Sequence, residues 1–358
     1  MTGRRLRNGG KFIEKMVFFL KNDRRIDFVI PWVDGSDPEW QKTKASWLGQ
    51  EITQEMIDAS EIRYRDWDVL KYWFRAVEVY APWVHTVHFI TCGHLPEWLN
   101  PEAPGLHVVN HSDYIPAEYL PTFSANPIEL NMHRIEGLNE QFVYFNDDVF
   151  LTAPVKPTDF FVKGVPCDSL REVPIEFTDA EGYYNQIRIN DLLFANRHFD
   201  RRNNRKEFPG KWFSLKAPKA TIGNCLMALI RHRHFFGISI HHLPQAFLKA
   251  SFEQIWAWEP ELLHETSSHR FRDARDITQK AVKFLQLFTG AFQPYDKERF
   301  GKSYNVGQHL DTICDCIRER RYKSICINDS DAVDFELAKK KLSEAFESVL
   351  SEKSRYER

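Results

Sequence analysis

Apolar and polar positions recur along this chain with two periods, and the predicted elements follow from them. Residues 26–30 form a short run closed by Pro31, the pattern of a buried strand. Asp34-Gly35 and Asp37-Pro38 then signal turns, and Ser36 or Asp37 can cap a helix beginning at Pro38. Asp66 is placed as the N-cap of a helix through Tyr80, with Val69, Leu70, Trp73, Phe74 and Val77 at helical spacing. Ala81-Pro82 ends it. Residues 84–91 alternate as a strand does, and 106–109 predict a shorter one. A helix is predicted over 127–138, ahead of a strand over 142–145. Further along, 220–231 and 277–288 read as helices, 323–327 as a strand and 334–350 as a closing helix. Residues 197–216 are polar and basic without a period, which predicts a surface loop.

Strands alternating with helices predict an α/β fold, a mostly parallel sheet flanked by helices, with a largely helical C-terminal part. Ligands of such sheets sit beyond the strands' C-terminal edges. No repeat and no Gly/Ser linker interrupts the chain. The expected organisation is a basic segment over 1–25, one catalytic unit over 26–330 carrying the 197–216 excursion, and a C-terminal helix over 331–358.

Composition narrows this only locally. A chain of 358 residues with 43% hydrophobic content can bury a sizeable core. The net charge of −2 names no partner and, with no base-stacking module, argues against a nucleic-acid role. Residues 1–25 carry eight basic and two acidic side chains. Together with the apolar stretch 12–20 they predict either a solvated leading helix or a segment lying on the inner face of the cytoplasmic membrane. Six scattered cysteines without a C-x-x-C pair fit a reducing cytoplasm rather than a disulfide framework or a zinc site.

The chemistry concentrates where apolar runs end. Gln141-Phe142-Val143-Tyr144-Phe145 stops at Asn146-Asp147-Asp148, and Val149-Phe150-Leu151 follows. Adjacent strand residues point to opposite faces, so two aspartates share one cation only if the chain turns there. Oxygen ligands suit Mg²⁺ or Mn²⁺. The plainer alternative is an Asn-Asp turn with one ion-paired aspartate. Cys326-Ile327-Asn328-Asp329 repeats the arrangement, and two strand-end Asn-Asp pairs can hold one metal from two sides. Between them lie His241-His242-Leu243-Pro244 with Lys249, and Thr266-Ser267-Ser268-His269-Arg270-Phe271-Arg272 followed by Asp273 and Asp276. Histidine suits proton transfer and arginine suits phosphate, although each stretch alone reads equally as a solvated charged face.

Taken in order, these segments resemble the four conserved blocks of the Stealth family. The first is Ile26-Asp27-Phe28-Val29-Ile30-Pro31-Trp32-Val33-Asp34-Gly35-Ser36-Asp37. The second includes Arg65-Asp66, Arg75, Ala81-Pro82-Trp83-Val84 and Pro96-x-Trp98-Leu99, then Pro121-Thr122-Phe123-Ser124 and Ile128-Glu129. It closes on His133-Arg134-Ile135-Glu136-Gly137-Leu138 and the Asn146-Asp147-Asp148 run. His242-x-Pro244, Lys249 and the stretch to Arg272 resemble the third, Cys326-Ile327-Asn328-Asp329 the fourth. The segment 352–357 resembles the bacterial branch.

The resemblance implies a GT-A-like or Rossmann-like fold. It also implies transfer of a sugar 1-phosphate from a nucleotide sugar, usually UDP-linked, to a hydroxyl of a saccharide or growing polysaccharide. A phosphodiester forms in a capsular or exopolysaccharide, and a nucleoside monophosphate leaves. The implied partners are that donor and acceptor, with peripheral association at the inner membrane or a capsule export complex. Mg²⁺ or Mn²⁺ is assigned to Asp147 or Asp148 with Asn328 and Asp329. Arg272 is the expected phosphate clamp, with Arg134 and Arg75 behind it and Asp276 orienting it. His242 is the expected base and Asp148 the alternative. Trp32, Val33, Asp34 and Gly35 are assigned to the nucleotide, Ser124 and Glu129 to sugar hydroxyls, and Arg65 and Lys249 to substrate. The rival readings are a metal-dependent glycosyltransferase that releases a nucleoside diphosphate and a non-catalytic polysaccharide assembly factor. Basic residues of 197–216 are assigned to a groove for an anionic polymer.

Overall fold

The computed structural model describes residues 25–49, 57–58, 66–176, 182–330 and 332–358. The basic segment over 1–24 and Arg65 lie outside them. Among the described residues, no helix is long and apolar enough to cross a membrane.

The first strand, β1, is Ile26–Pro31, and Phe28, Val29 and Ile30 are fully buried on its two faces. After it, α1 spans Pro38–Leu48, with Asp37 as N-cap accepting from the Trp40 N–H at 2.7 Å. Helix α2 covers Leu70–Tyr80. Asp66 does not cap it; its carboxylate accepts from the Asp68 N–H at 2.7 Å, in the turn before the helix. Strands β2 (Val87–Thr91) and β3 (Leu106–Asn110) follow, then the short helix α3 (Ala125–Leu130). The long predicted helix there breaks at Asn131, whose side chain bonds back to the Pro127 carbonyl at 2.8 Å.

Strand β4 is Gln141–Tyr144 and β5 is Val149–Leu151. Later come helix α4 (Arg201–Glu207), helix α5 (Pro218–Ala228), β6 (Gln245–Leu248) and helix α6 (Gln279–Phe288). Strand β7 (Gly301–Asn305), helix α7 (Val306–Arg318), β8 (Ser324–Asn328) and helix α8 (Phe335–Glu347) complete the set used below.

Strands β3-β2-β1-β4-β6 form a five-stranded sheet. Its first four strands are parallel, and β6 runs antiparallel at the edge. Aromatic side chains of α2 cover one face: Trp73 lies 5.3 Å from Phe145 and 6.5 Å from Phe28, ring centre to ring centre. Phe142 and Phe247 pack on the other face with Phe252 and Leu285. Truncating one such ring costs roughly 3–5 kcal/mol. The mostly parallel α/β expectation therefore holds.

Two details of pairing position the chemistry. The chain leaves the large sheet at Tyr144 and enters a second, three-stranded sheet at Val149, where β5 pairs antiparallel with β8. Asn146, Asp147 and Asp148 are that crossing, and the Ile327 N–H donates to the Asp148 carbonyl at 2.9 Å. The antiparallel register of β6, Tyr144 opposite Gln245 and Gln141 opposite Leu248, carries His242 to the same edge and Lys249 to the opposite one.

The basic excursion is not a loop. Arg201 in α4 is fully buried and meets the equally buried Glu172 at 2.6 Å, while its remaining N–H groups cap carbonyls of Met227 and Ile230. A basic sequence hid a buried anchor, because the residue that neutralises it is 29 positions away.

Candidate functional site

A cavity of about 270 Å³ opens beyond the C-terminal edge of the parallel strands. Asn146, Asp147 and Asp148 line it from the crossing between the sheets, and Asn328 and Asp329 from the end of β8. His242 comes from the loop before β6, Arg272 from a two-residue strand paired antiparallel with Ile57–Asp58, and Trp32 and Val33 from the end of β1. The two strand-end Asn-Asp pairs thus face one space.

His242 is held between the pairs. Its Nδ1 lies 3.2 Å from Asn328 Oδ1, its Nε2 3.1 Å from Asn146 Oδ1 and 3.6 Å from Asp148 Oδ1. The Asn328 amide nitrogen donates to Ser303 Oγ at 2.9 Å, and that of Asn146 to the Tyr144 hydroxyl at 3.1 Å. Both amide oxygens are thereby turned toward the imidazole, an orientation set by the hydrogen-bond network.

The charges in the cavity are incompletely satisfied. Asp148 Oδ1 and Arg272 Nη1 are both buried without a hydrogen-bond partner. Asp147 opens toward solvent, yet enclosure by the surrounding protein and then the adjoining Asp148 carboxylate push its pKa up to about 7. Asp66, also on the wall, is raised chiefly by burial. Clustered carboxylates with raised pKa values call for a cation.

The donor atoms fit a hard divalent ion. Asp147, Asp148, Asn328 and Asp329 supply oxygens. Asp148, His242 and Cys326 also bring ligand atoms within 4.8 Å of one another, which would make a softer site. Burial, however, pushes the Cys326 thiol well above its usual range, so it stays protonated and donates to Asp148 Oδ2 at 3.4 Å. A second cluster, His269, Asp273 and Asp276, is satisfied internally: Asp276 Oδ1 meets His269 Nδ1 at 2.6 Å, and Asp273 meets Arg275 at 2.8 Å.

Several expected site residues lie elsewhere. Arg75 is buried behind α2, where Glu357 at 2.8 Å, Glu347 at 3.0 Å and the Leu350 carbonyl consume its guanidinium; it fastens the C-terminal segment and clamps no phosphate. Arg134 stacks over Trp256 at 4.9 Å, away from the cavity lining. Lys249 sits at the opposite edge of the sheet because β6 is antiparallel. Ser124 is fully buried as the N-cap of α3, accepting from the Asn126 N–H. Asp34 turns inward to Ser36, at 2.6 Å to its hydroxyl, and Gly35 accepts from Gln41; neither lines the cavity. Trp32 reaches the wall only by an edge, since Phe89 stacks on it at 5.9 Å.

Two expectations change in kind. Asp276 does not hold the Arg272 guanidinium. It fixes the loop on either side, through His269 and through the Asp273 N–H at 3.0 Å, and so aims Arg272 at the cavity. Glu129 is buried beneath the site, accepting from Tyr144 at 2.7 Å, and reaches His242 only through Tyr144 and Asn146. Asn146 and Asp66 line the cavity and the Cys326 thiol meets Asp148, though none of the three stands among the expected ligands. Asn146 and Cys326 lie inside the strand-end motifs, and Asp66 has the sequence context of a helix cap.

Comparison with known proteins fits this order of segments. The model of Stealth protein conserved region 1 matches residues 24–51, and that of conserved region 2 matches residues 63–167. Capsular polysaccharide phosphotransferase WcwK of Streptococcus pneumoniae is 36% identical over 341 residues, covering 95% of this chain and 100% of that protein. Exopolysaccharide phosphotransferase cps2G of Lactiplantibacillus plantarum is 36% identical over 93% of this chain and 96% of its own length. Receptor polysaccharide phosphotransferase WefC of Streptococcus oralis is 36% identical over 93% and 99%. Among solved structures, the galactosyltransferase LgtC aligns over 89% of this chain and 95% of its own at 10% identity and a TM-score of 0.35, a likeness too loose to carry any argument.

Proposed function

Since the chain belongs to the Stealth family, whose bacterial members named above are polysaccharide phosphotransferases, we propose that it moves a sugar 1-phosphate from a nucleotide sugar, UDP-linked, onto a saccharide hydroxyl. The observation that carries this reading is the pair of unpartnered buried atoms, Asp148 Oδ1 and Arg272 Nη1, on the walls of one cavity. They are of opposite charge and are left for a ligand. A diphosphate accompanied by a cation satisfies both, and a neutral sugar satisfies neither.

Asp147, Asn328 and Asp329 would hold Mg²⁺ or Mn²⁺ beside Asp148, whose Oδ1 is kept for the incoming hydroxyl. Such an ion, when bound, supplies charge neutralisation on the diphosphate oxygens. Arg272 forks onto the phosphate being transferred. The acceptor oxygen bonds to the sugar-bearing phosphorus, and the bridging P–O bond breaks with its electron pair on the departing nucleoside monophosphate.

The proton of the hydroxyl goes to Asp148 rather than to His242. An amide oxygen already lies 3.1–3.2 Å from each ring nitrogen, so neither stands open to the hydroxyl, while Asp148 Oδ1 has no hydrogen-bond partner. His242 then steadies the attacking and transferring groups.

The released nucleotide tests the reading. Incubation with a UDP-sugar panel and saccharide acceptors should yield UMP and a phosphodiester signal in phosphorus NMR. Release of UDP with a glycosidic product would establish ordinary glycosyl transfer instead.

A further inference from the structure

A second cavity, of about 390 Å³, adjoins the first, and His242 lines both. Its volume lies within the roughly 300–1,000 Å³ of small-ligand sites. His241, Lys302, Ser303, Tyr322 and the Lys219–Glu298 ion pair contribute its polar lining. Ser303 also accepts from Asn328 at 2.9 Å, so the wall between the cavities is His242 backed by one hydrogen bond to a strand-end asparagine. Burial holds His241 neutral, at about 4, so its ring offers one donor and one acceptor, as a sugar hydroxyl does. Lys302 is exposed at the rim, and Lys219 there is paired with Glu298.

We infer that this second cavity is the acceptor subsite: it takes a hexopyranose whose hydroxyl reaches the donor cavity past His242, and Lys302 at its rim suits an acceptor already carrying a phosphodiester. The inference rests on the transfer reading above. Separating the two substrates across one imidazole places the nucleophile opposite the nucleotide, as in-line displacement requires.

Saturation-transfer NMR with a panel of methyl hexopyranosides tests it, on the wild type and on a Lys302→Ala/Tyr322→Phe variant. The account predicts binding that weakens about tenfold in the variant, the order expected for one or two polar contacts, with UDP-sugar affinity unchanged. No hexoside binding by the wild type, equal binding by the variant, or a parallel loss of UDP-sugar affinity would each overturn it. The nucleotide released is read separately: UDP in place of UMP would sink phosphoryl transfer while leaving the saccharide subsite standing.

A different observation supports a second site. Six of the ten exposed large hydrophobic residues described fall between Phe213 and Ile230. Ile222 and Leu226 in α5 are each 64% exposed, Leu229 just past it 80%, and Leu215 before it 95%. Ile222, Leu226, Leu229 and Ile230 recur at helical spacing on one outward face. Lys216 flanks one end and Arg231 the other, both exposed, while Lys219 and Arg233 beside them are paired with Glu298 and Asp200. A face both apolar and cationic matches an anionic bilayer, whereas a two-fold pairing of this face with itself would oppose like charges.

We propose that this face docks on an anionic membrane surface. Co-sedimentation with phosphatidylcholine vesicles, with and without phosphatidylglycerol, tests it. The full chain should sediment with the anionic vesicles and release in salt, and a Leu226→Glu/Leu229→Glu variant should stay in solution with hexoside and UDP-sugar binding intact. Equal sedimentation of the variant would assign binding elsewhere on the chain. A concentration-dependent dimer lost in the variant, without vesicle binding, would make the face a self-interface. Either outcome overturns the proposal.

Discussion

Two aspartate sites at opposite edges of one sheet show how a structural carboxylate differs from one left for chemistry. At the start of β1, Asp27 is fully buried and fully served: the Asn139 N–H and side-chain amide each donate at 2.8 Å, and His88 and His85 stand at 3.2 Å. Burial raises its pKa, but the His88 and Asn139 hydrogen bonds outweigh that and hold it below the usual value. At the far edge, Asp147 is raised and Asp148 keeps an oxygen without a partner. The protein completes the first site by itself. It leaves the second incomplete, and on the proposed reading a substrate and its ion would bring the missing charge.

Conservative substitutions should separate the two edges most sharply. Asp148→Asn is expected to lower kcat on the order of 10³-fold while the melting temperature holds or rises, because a repelling charge is gone. Asp27→Asn should do the reverse, costing about 1.5–3 kcal/mol in denaturant unfolding with kcat per folded molecule unchanged. If the two variants behaved alike, the distinction would fail.

The arginines extend the contrast. Arg75→Ala removes one partner from a buried ion pair and should cost roughly 3 kcal/mol of stability, read by urea unfolding, without touching turnover of the folded enzyme. Arg272→Lys should leave stability alone and lower kcat/KM roughly 10²-fold, since a point charge cannot replace a fork.

The smallest effect is on pH. A carboxyl raised by folding favours the protonated protein, so stability tied to Asp147 is full below about 4 and is lost as pH rises through about 7. Mg²⁺ should therefore raise the melting temperature by on the order of 2–4 °C more at about pH 8 than at about pH 5.5. Asp27 works in the other direction: its contribution is present above about 4 and lost only as pH falls below that. A Mg²⁺ shift independent of pH would separate the ion from these carboxylates.

What could be read in the sequence was what is local in it. Apolar runs ending in Asn-Asp marked both strand ends, and Pro31, Asp37 and Pro82 marked turns and a cap because their physics acts within a few residues. Partners far along the chain were illegible. Nothing near Arg75 announces Glu357, 282 positions on, and nothing near Arg201 announces Glu172. Lys249 lies at the far edge because its side of the sheet depends on the direction of β6, which no periodicity encodes. The open cation Arg272 and the consumed cation Arg75 look alike until their acceptors are seen.

On the proposed reading, Asp148 and Arg272 together bind a metal-bound diphosphate. Calorimetric titration of a UDP-sugar, with Mg²⁺ and with EDTA, tests it without relying on turnover. Mg²⁺ should tighten binding at least about tenfold in the wild type, a coupling of about 1.4 kcal/mol, and that gain should vanish in Asp148→Asn and in Arg272→Ala. Equal affinity in Mg²⁺ and EDTA for the wild type, or an undiminished gain in both variants, would contradict it.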